Sequence, residues 1–173
     1  VFEIDPRSAA NPGIALQMQL KGQLPAGTQL QQVVSPRTLA DLTTVLADLG
    51  IPLDNFATYK PWMITLVLAN LQVNALGFDA DWGLESYFMA ERAEPFGIVE
   101  LESIEQQIAM LDNLDQDVFL GYSLREYATS SELFGQMMEA WQCADHARLA
   151  DILFAADNTA SLNPEETLKA GLL

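Results

Sequence analysis

Two pairs of acidic residues have a spacing that would let them act together. Glu3 and Asp5 lie two positions apart near the start of the chain, and Glu100 and Glu102 repeat this spacing. Because alternate side chains of a strand share one face, a strand would present both carboxylates of a pair on the same side. Such carboxylates at strand ends can bind a divalent cation or act as a general base. On spacing alone, their commoner role is to cap helices or to face water.

The other side chains able to do chemistry are few. His146 is the only histidine, and we interpret it as a surface residue near the start of a helix, since metal sites usually recruit several ligands. Cys143 is the only cysteine, which excludes an intrachain disulfide, and we interpret it as a small core residue on a helix. The chain has no glycine-rich phosphate loop, no paired-histidine motif and no serine elbow.

The segment Tyr59-Lys60-Pro61-Trp62 places aromatic rings beside a cation. One interpretation is a ligand-binding platform. The commoner one is a helix start, with proline in the first turn and the tryptophan entering the core.

Composition limits the classes of partner. The 173 residues include 24 acidic and 8 basic side chains, for a formal net charge of −16. This charge repels phosphate backbones and anionic lipid, so neither nucleic acid nor a membrane surface is an expected partner. No stretch approaches the ~20 apolar residues of a membrane span. Half of the residues are hydrophobic, which predicts one folded domain with a sizeable core.

The elements that would position these acidic, histidine, cysteine and aromatic side chains are mostly predicted to be helices, because their apolar residues have helical spacing. Ser35-Pro36 and Ser103, with Gln106 three positions later, have the residue types of helix N-caps. Residues 14–20 fit a short helix or a strand. The other predicted helices are 36–49, 61–75, one from Asp81 toward Glu94, 103–111, 117–128, 130–142, 145–155 and a last one from Asn163-Pro164.

Two short strands are predicted among the helices, at residues 1–5 and 98–102. The chain opens within the first of them, so we expect strand partners upstream of Val1. The predicted fold class is α/β, rich in helix, with at least two strands of a larger sheet. Residues 1–173 are expected to form one incomplete domain.

Six segments in order resemble the TraB/GumN family, which is related to the Tiki proteases. No single segment is specific, but their order covers nearly the whole chain. They are Phe2-Glu3-Ile4-Asp5, Leu24-Pro25-Ala26-Gly27, the Ser35-Pro36 helix start, Tyr59-Lys60-Pro61-Trp62, Gly83-Leu84-Glu85-Ser86-Tyr87-Phe88 and Leu101-Glu102-Ser103-Ile104-Glu105-Gln106.

The resemblance implies a full-length protein in which Gly-x-x-His motifs flank this region. In the Tiki-like branch, those histidines and a glutamate are associated with metal-dependent proteolysis. Neither Gly-x-x-His motif occurs in these 173 residues, and Glu85 replaces the family's usual aspartate. Bacterial members often carry an export signal, so the resemblance implies a periplasmic or exported protein.

The site residues implied by the resemblance are Glu3, as a catalytic residue and metal ligand, and Glu102, as a second catalytic residue. The full-length protein is then expected to be a metal-dependent peptidase using manganese, cobalt or zinc, while this segment alone is expected to hold no metal and to be inactive. Two alternatives stay open. One is a non-catalytic protein that binds a peptide or partner in exopolysaccharide or pheromone functions, and the other is an insert with a structural role.

Overall fold

The backbone forms a helical assembly in the part of the chain that this computed structural model describes, residues 11–79, 83–84, 87–88 and 101–159. Two short 3-10 helices, Leu30–Gln32 and Leu53–Phe56, lie in the connections. The α-helices within the described residues are α1 (Pro12–Lys21), α2 (Pro36–Asp48), α3 (Pro61–Ala75), α4 (Ile104–Asn113), α5 (Gln116–Gln142) and α6 (His146–Thr159).

Local capping explains where these helices begin. The hydroxyl of Ser35 accepts a 3.2 Å hydrogen bond from the backbone N–H of Thr38, and proline occupies the first turn of α2. Ser103 and Gln106 form a reciprocal capping box at the start of α4. These helix starts confirm the sequence predictions, and residues 14–20 lie within a helix.

The long helix α5 corrects the prediction of two separate helices at 117–128 and 130–142. It runs for 27 residues without a break. Ser130 donates a 3.0 Å hydrogen bond to the carbonyl of Tyr127, and Gln72 of α3 donates to both the Tyr127 carbonyl and the Ser130 hydroxyl. This packing against α3 stabilises helix across polar residues whose type favours a break.

The core lies where α2 and α3 pack against the first half of α5. Leu42 of α2, Ile64 of α3 and Leu120 of α5 are all fully buried. The cluster as a whole consists of Leu30, Val34, Leu42, Leu46, Phe56, Ile64, Leu68, Leu120 and Leu124. Burial of this apolar surface is the main stabilising term for the assembly.

The predicted fold class is wrong in its strands. The described residues contain no strand, and their only β-type pairing is an isolated antiparallel bridge between Gln23 and Tyr59. Of the second predicted strand, Leu101 and Glu102 form a bend and the rest lies outside the described residues, as does the first strand at 1–5. The bend follows from the capping box, because Ser103 commits the chain to helix directly after Glu102.

The helices predicted from Asp81 and from Asn163 fall mostly or wholly outside the described residues. No helix within the described ranges is long and apolar enough to cross a membrane.

Candidate functional site

The segment Lys60-Pro61-Trp62 forms the start of α3. Pro61 stands in its first turn, and the Trp62 side chain is 0% exposed. The prediction that this tryptophan enters the core is therefore confirmed. A buried indole has no face available as a platform for a ligand.

Asp112, at the end of α4, binds both polar groups of this segment. The Nζ atom of Lys60 donates to both of its carboxylate oxygens, at 2.8 and 2.9 Å. Trp62 Nε1 donates to Asp112 Oδ1 at 2.6 Å. The Lys60 and Asp112 side chains are 24% and 33% exposed, so this is a half-buried, charge-neutral cluster.

Gln116 completes the cluster from the first turn of α5. Its Oε1 accepts a hydrogen bond from the backbone N–H of Trp62, at 3.2 Å. Its Nε2 donates to the carbonyls of Leu111 and Leu114, at 2.7 and 3.2 Å. Gln116 thus gives hydrogen-bond partners to backbone groups at the start of α3 and the end of α4 that have none within their own helices. These bonds hold the start of α3, the end of α4 and the start of α5 together.

Glu102 is the predicted catalytic residue that the structure describes. It is exposed and lies in the bend directly before Ser103. Asp112 is eight residues along α4 from Ile104, about 12 Å at the α-helical rise. Glu102 and the Lys60–Asp112 cluster therefore lie at opposite ends of α4 and cannot share one reacting centre.

The other predicted site residues are not brought together. Glu3, and the paired carboxylates Asp5 and Glu100, lie outside the described residues. His146 is exposed at the first position of α6, in agreement with its interpretation as a surface residue.

Cys143 is an exposed free thiol after the end of α5, so its interpretation as a core residue is wrong. It is the C-cap of α5 and is followed by Ala144 at a positive φ of 53°, so it lies where the helix ends and the chain turns.

A second polar cluster links α2 to α5. Asp117 Oδ1 accepts a 2.8 Å hydrogen bond from the backbone N–H of Ser35, whose hydroxyl lies 3.0 Å from that of Thr38. Burial raises the pKa of Asp117, but the Ser35 N–H and the Thr38 and Ser35 hydroxyls outweigh it and hold the pKa below its ordinary value. This carboxylate stabilises a helix start rather than acting as a base.

An apolar groove lies between α1, the second 3-10 helix and α3. Its volume is about 240 Å³. The residues that line it are Phe56, Tyr59, Met63 and Val67, together with Gln19 and Asn55. This composition suits a single apolar side chain with polar atoms beside it.

Comparison with protein-family models identifies the family of this chain. The family model described as TraB/PrgY/gumN matches residues 1–170. The chain belongs to this family. The resemblance drawn from its motifs is thus confirmed, and Lys60-Pro61-Trp62 is one of the segments that carried it.

Among its relatives in the TraB/PrgY/gumN family is the uncharacterized protein YbaP of Escherichia coli (strain K12), which is 32% identical over 121 residues. These cover 68% of this chain and 46% of YbaP, and the YbaP of Shigella flexneri matches equally. The chain thus spans about half the length of the curated relatives it matches. No solved structure matches it significantly.

Proposed function

We propose that the full-length protein is a periplasmic or exported metal-dependent hydrolase that cleaves peptide bonds, and that this chain supplies its helical part. The observation that supports this proposal is the family match over residues 1–170. It gives weight to the resemblance to the Tiki-like branch, which implies metal-dependent proteolysis. The accessible carboxylate of Glu102 at the start of α4 is compatible with a role in that chemistry.

The described residues contain no group of three or more histidine, cysteine, aspartate or glutamate side chains that could hold an ion. In this proposal the metal ligands are Glu3 and the histidines of Gly-x-x-His motifs in the full-length protein.

For Glu102 the proposed role is to accept a hydrogen bond or a proton from the attacking water. A general base must be within hydrogen-bond reach of the proton that it takes, and an exposed side chain is accessible to water and to substrate. Glu3 and the flanking histidines would hold the divalent cation, which would supply Lewis-acid activation of the scissile carbonyl and of the attacking water.

The test is cleavage of a mixed peptide library by the full-length protein, with and without added manganese or cobalt. We expect metal-dependent cleavage that Glu3→Gln and Glu102→Gln each reduce by about 100-fold or more, the usual contribution of a general base. Glu132→Gln is the matched control, because Glu132 is exposed on α5 and accepts only a weak 3.4 Å hydrogen bond from Gln136. Full activity in Glu102→Gln would remove this residue from the mechanism, and absence of cleavage under all metal conditions would reject the hydrolase.

The apolar groove supports a second candidate, a non-catalytic protein that binds a peptide or partner. A groove of about 240 Å³ that is lined in part by the aromatic residues Phe56 and Tyr59 can hold one large apolar side chain. In this function the helices bind the peptide without cleaving it.

Filling the groove distinguishes the two candidates. Val67→Trp would occupy the groove, while Leu66→Trp places the same ring on the neighbouring position, which does not line it and is 36% exposed. If the groove binds a peptide, only Val67→Trp weakens retention of library peptides. Equal retention by both variants would reject the groove as the binding site.

A further inference from the structure

Helix α4 has little apolar anchoring to the helices around it. Among its ten residues only Ile108 is buried, and Ile108 does not belong to the main core cluster. Met110, on the same helix, is 57% exposed. Because burial of apolar surface is the usual source of helix docking, polar contacts must supply much of what fixes α4 in place.

The strongest of these polar contacts lie at the C-terminal end of α4. Asp112 accepts hydrogen bonds from Lys60 Nζ and from Trp62 Nε1, and the Trp62 side chain is fully buried, so it is a fixed partner. Charge-assisted hydrogen bonds are stronger than neutral ones. Near the start of α4, Glu105 accepts one solvent-exposed hydrogen bond of 3.2 Å from Gln17 of α1. Among the described residues, α4 is thus held firmly at Asp112 and loosely near its start.

A helix that is held firmly at one end transmits the orientation of that end to the other. Ile104 and Asp112 are eight residues apart, about 12 Å at the α-helical rise, so a rotation of about 5° at Asp112 moves the start of α4 by about 1 Å. Glu102 lies in the bend directly before the Ser103 capping box and moves with that start. A misplacement of about 1 Å can cost an enzyme ~100-fold in rate.

We propose that Asp112 is a positioning residue for Glu102. By binding Lys60 and Trp62 it sets the orientation of α4 and, through the helix, the place of the Glu102 carboxylate. Asp112 is too far from Glu102 to share the reacting atoms, so it acts only through the helix. The effect on catalysis rests on the proposed hydrolase, whereas the effect on α4 does not.

Amide hydrogen exchange of the full-length protein tests the effect on α4 without any need for activity. Asp112→Ala should speed exchange of the α4 amides about tenfold or more relative to those of α2, because lost hydrogen bonds make local opening easier. Asp112→Asn keeps an oxygen that can accept from Trp62 Nε1 and should restore part of this protection. An equal change in α4 and α2 would overturn the proposal.

The matched control for exchange is Asp117→Ala. It removes a carboxylate that binds the start of α2, and it should leave exchange of the α4 amides within about twofold of wild type. Lys60→Gln, a milder loss at the same junction, gives the same comparison of α4 with α2 should Asp112→Ala not fold. Acceleration of α4 by the Asp117 control as large as that by the junction variant would also overturn the proposal.

Peptide cleavage tests the link to Glu102. Asp112→Ala should lower kcat about tenfold or more with little change in KM, since a misplaced base affects the transition state rather than substrate binding. In the Glu102→Gln background the same substitution should have almost no effect, because no base is left to position. A merely structural role would lower kcat equally in both backgrounds, and that result would overturn the proposal. If the wild type cleaves no peptide under any metal condition, the hydrolase is rejected, and the exchange comparison decides whether Asp112 orients α4.

Discussion

The indole Nε1 of Trp62 donates a 2.6 Å hydrogen bond to Oδ1 of Asp112, a residue fifty positions further along the chain. This bond joins the first turn of α3 to the last turn of α4. Asp112 also accepts hydrogen bonds from the Lys60 ammonium group, so one carboxylate binds two donors of the Lys60-Pro61-Trp62 segment. Lys60-Pro61-Trp62, one of the segments that carry the resemblance to the family, is therefore part of a helix junction.

A double-mutant cycle tests this junction. Asp112→Ala should lower the free energy of unfolding by about 1–3 kcal/mol, because it leaves a buried indole N–H and an ammonium without their acceptor. Trp62→Phe should then cost less in the Asp112→Ala background than in the wild type, by about 1 kcal/mol. Urea unfolding measures all four proteins. Additive effects would contradict the pairing, and Asp151→Ala, an exposed position on α6, is the control expected within about 0.5 kcal/mol of wild type.

The hydrogen bonds that Asp117 accepts from Ser35 and Thr38 predict how the free energy of unfolding changes in acid. The pKa of Asp117 is lowered in the folded state, so its contribution to stability is present above the unfolded value, about 3.9, and is lost as the pH falls through the folded pKa. The difference in unfolding free energy between wild type and Asp117→Asn should therefore be constant near neutral pH and shrink in acid. Urea titrations at a series of pH values measure it. A difference that grows on acidification would contradict the contacts with Ser35 and Thr38.

Two glycines provide a test of close packing. A Cβ on Gly22 would lie 2.8 Å from Met63 Cγ and 3.1 Å from the Met18 carbonyl oxygen. Gly22→Ala should therefore cost about 1–3 kcal/mol through overpacking. Gly135 lies within α5 with nothing within 4 Å of an added Cβ, so Gly135→Ala should stabilise by about 0.5–1 kcal/mol. Thermal unfolding measures both variants, and the same sign for both would contradict the close approach at Gly22.

The capping box of α4 predicts the stability of the helix that follows Glu102. Ser103 Oγ accepts from Gln106 N at 3.2 Å, and Gln106 Oε1 accepts from Ser103 N at 2.7 Å. Ser103→Ala should lower the free energy of unfolding by about 1 kcal/mol, whereas Ser103→Asp, which keeps an acceptor, should change it by a few tenths. Chemical denaturation compares the two. Equal losses would show that the cap is not what stabilises this helix start.

Local signals predicted most of the helix starts correctly. Serine caps and first-turn prolines act over three or four residues, so Ser35-Pro36 and Ser103 can be recognised without tertiary information. The break predicted at residue 129 was wrong because Gln72 supports α5 from another helix. The strand predicted at 98–102 is wrong in its last two residues, which form a bend because the Ser103 cap begins a helix directly after them.

In the candidate site, too, local sequence predicted one feature and tertiary packing decided the others. The tryptophan of the Lys60-Pro61-Trp62 segment was expected in the core, and it is buried. Asp112 and Gln116 were not singled out, because neither carries a local signal and their partners lie about fifty residues away. The pairing of an acidic residue with a distant cation is visible only once α3 and α4 are packed.

The sequence by itself determined the family, the acidic surface and the positions where helices begin, because each of these depends on residue type and short spacing. Only the tertiary structure decided that α5 is continuous, that Asp112 joins Lys60 to Trp62, and that Glu102 lies at the far end of α4 from this cluster. The physical reason is that contacts between residues distant in the chain depend on how the helices pack, and no local pattern encodes those distances.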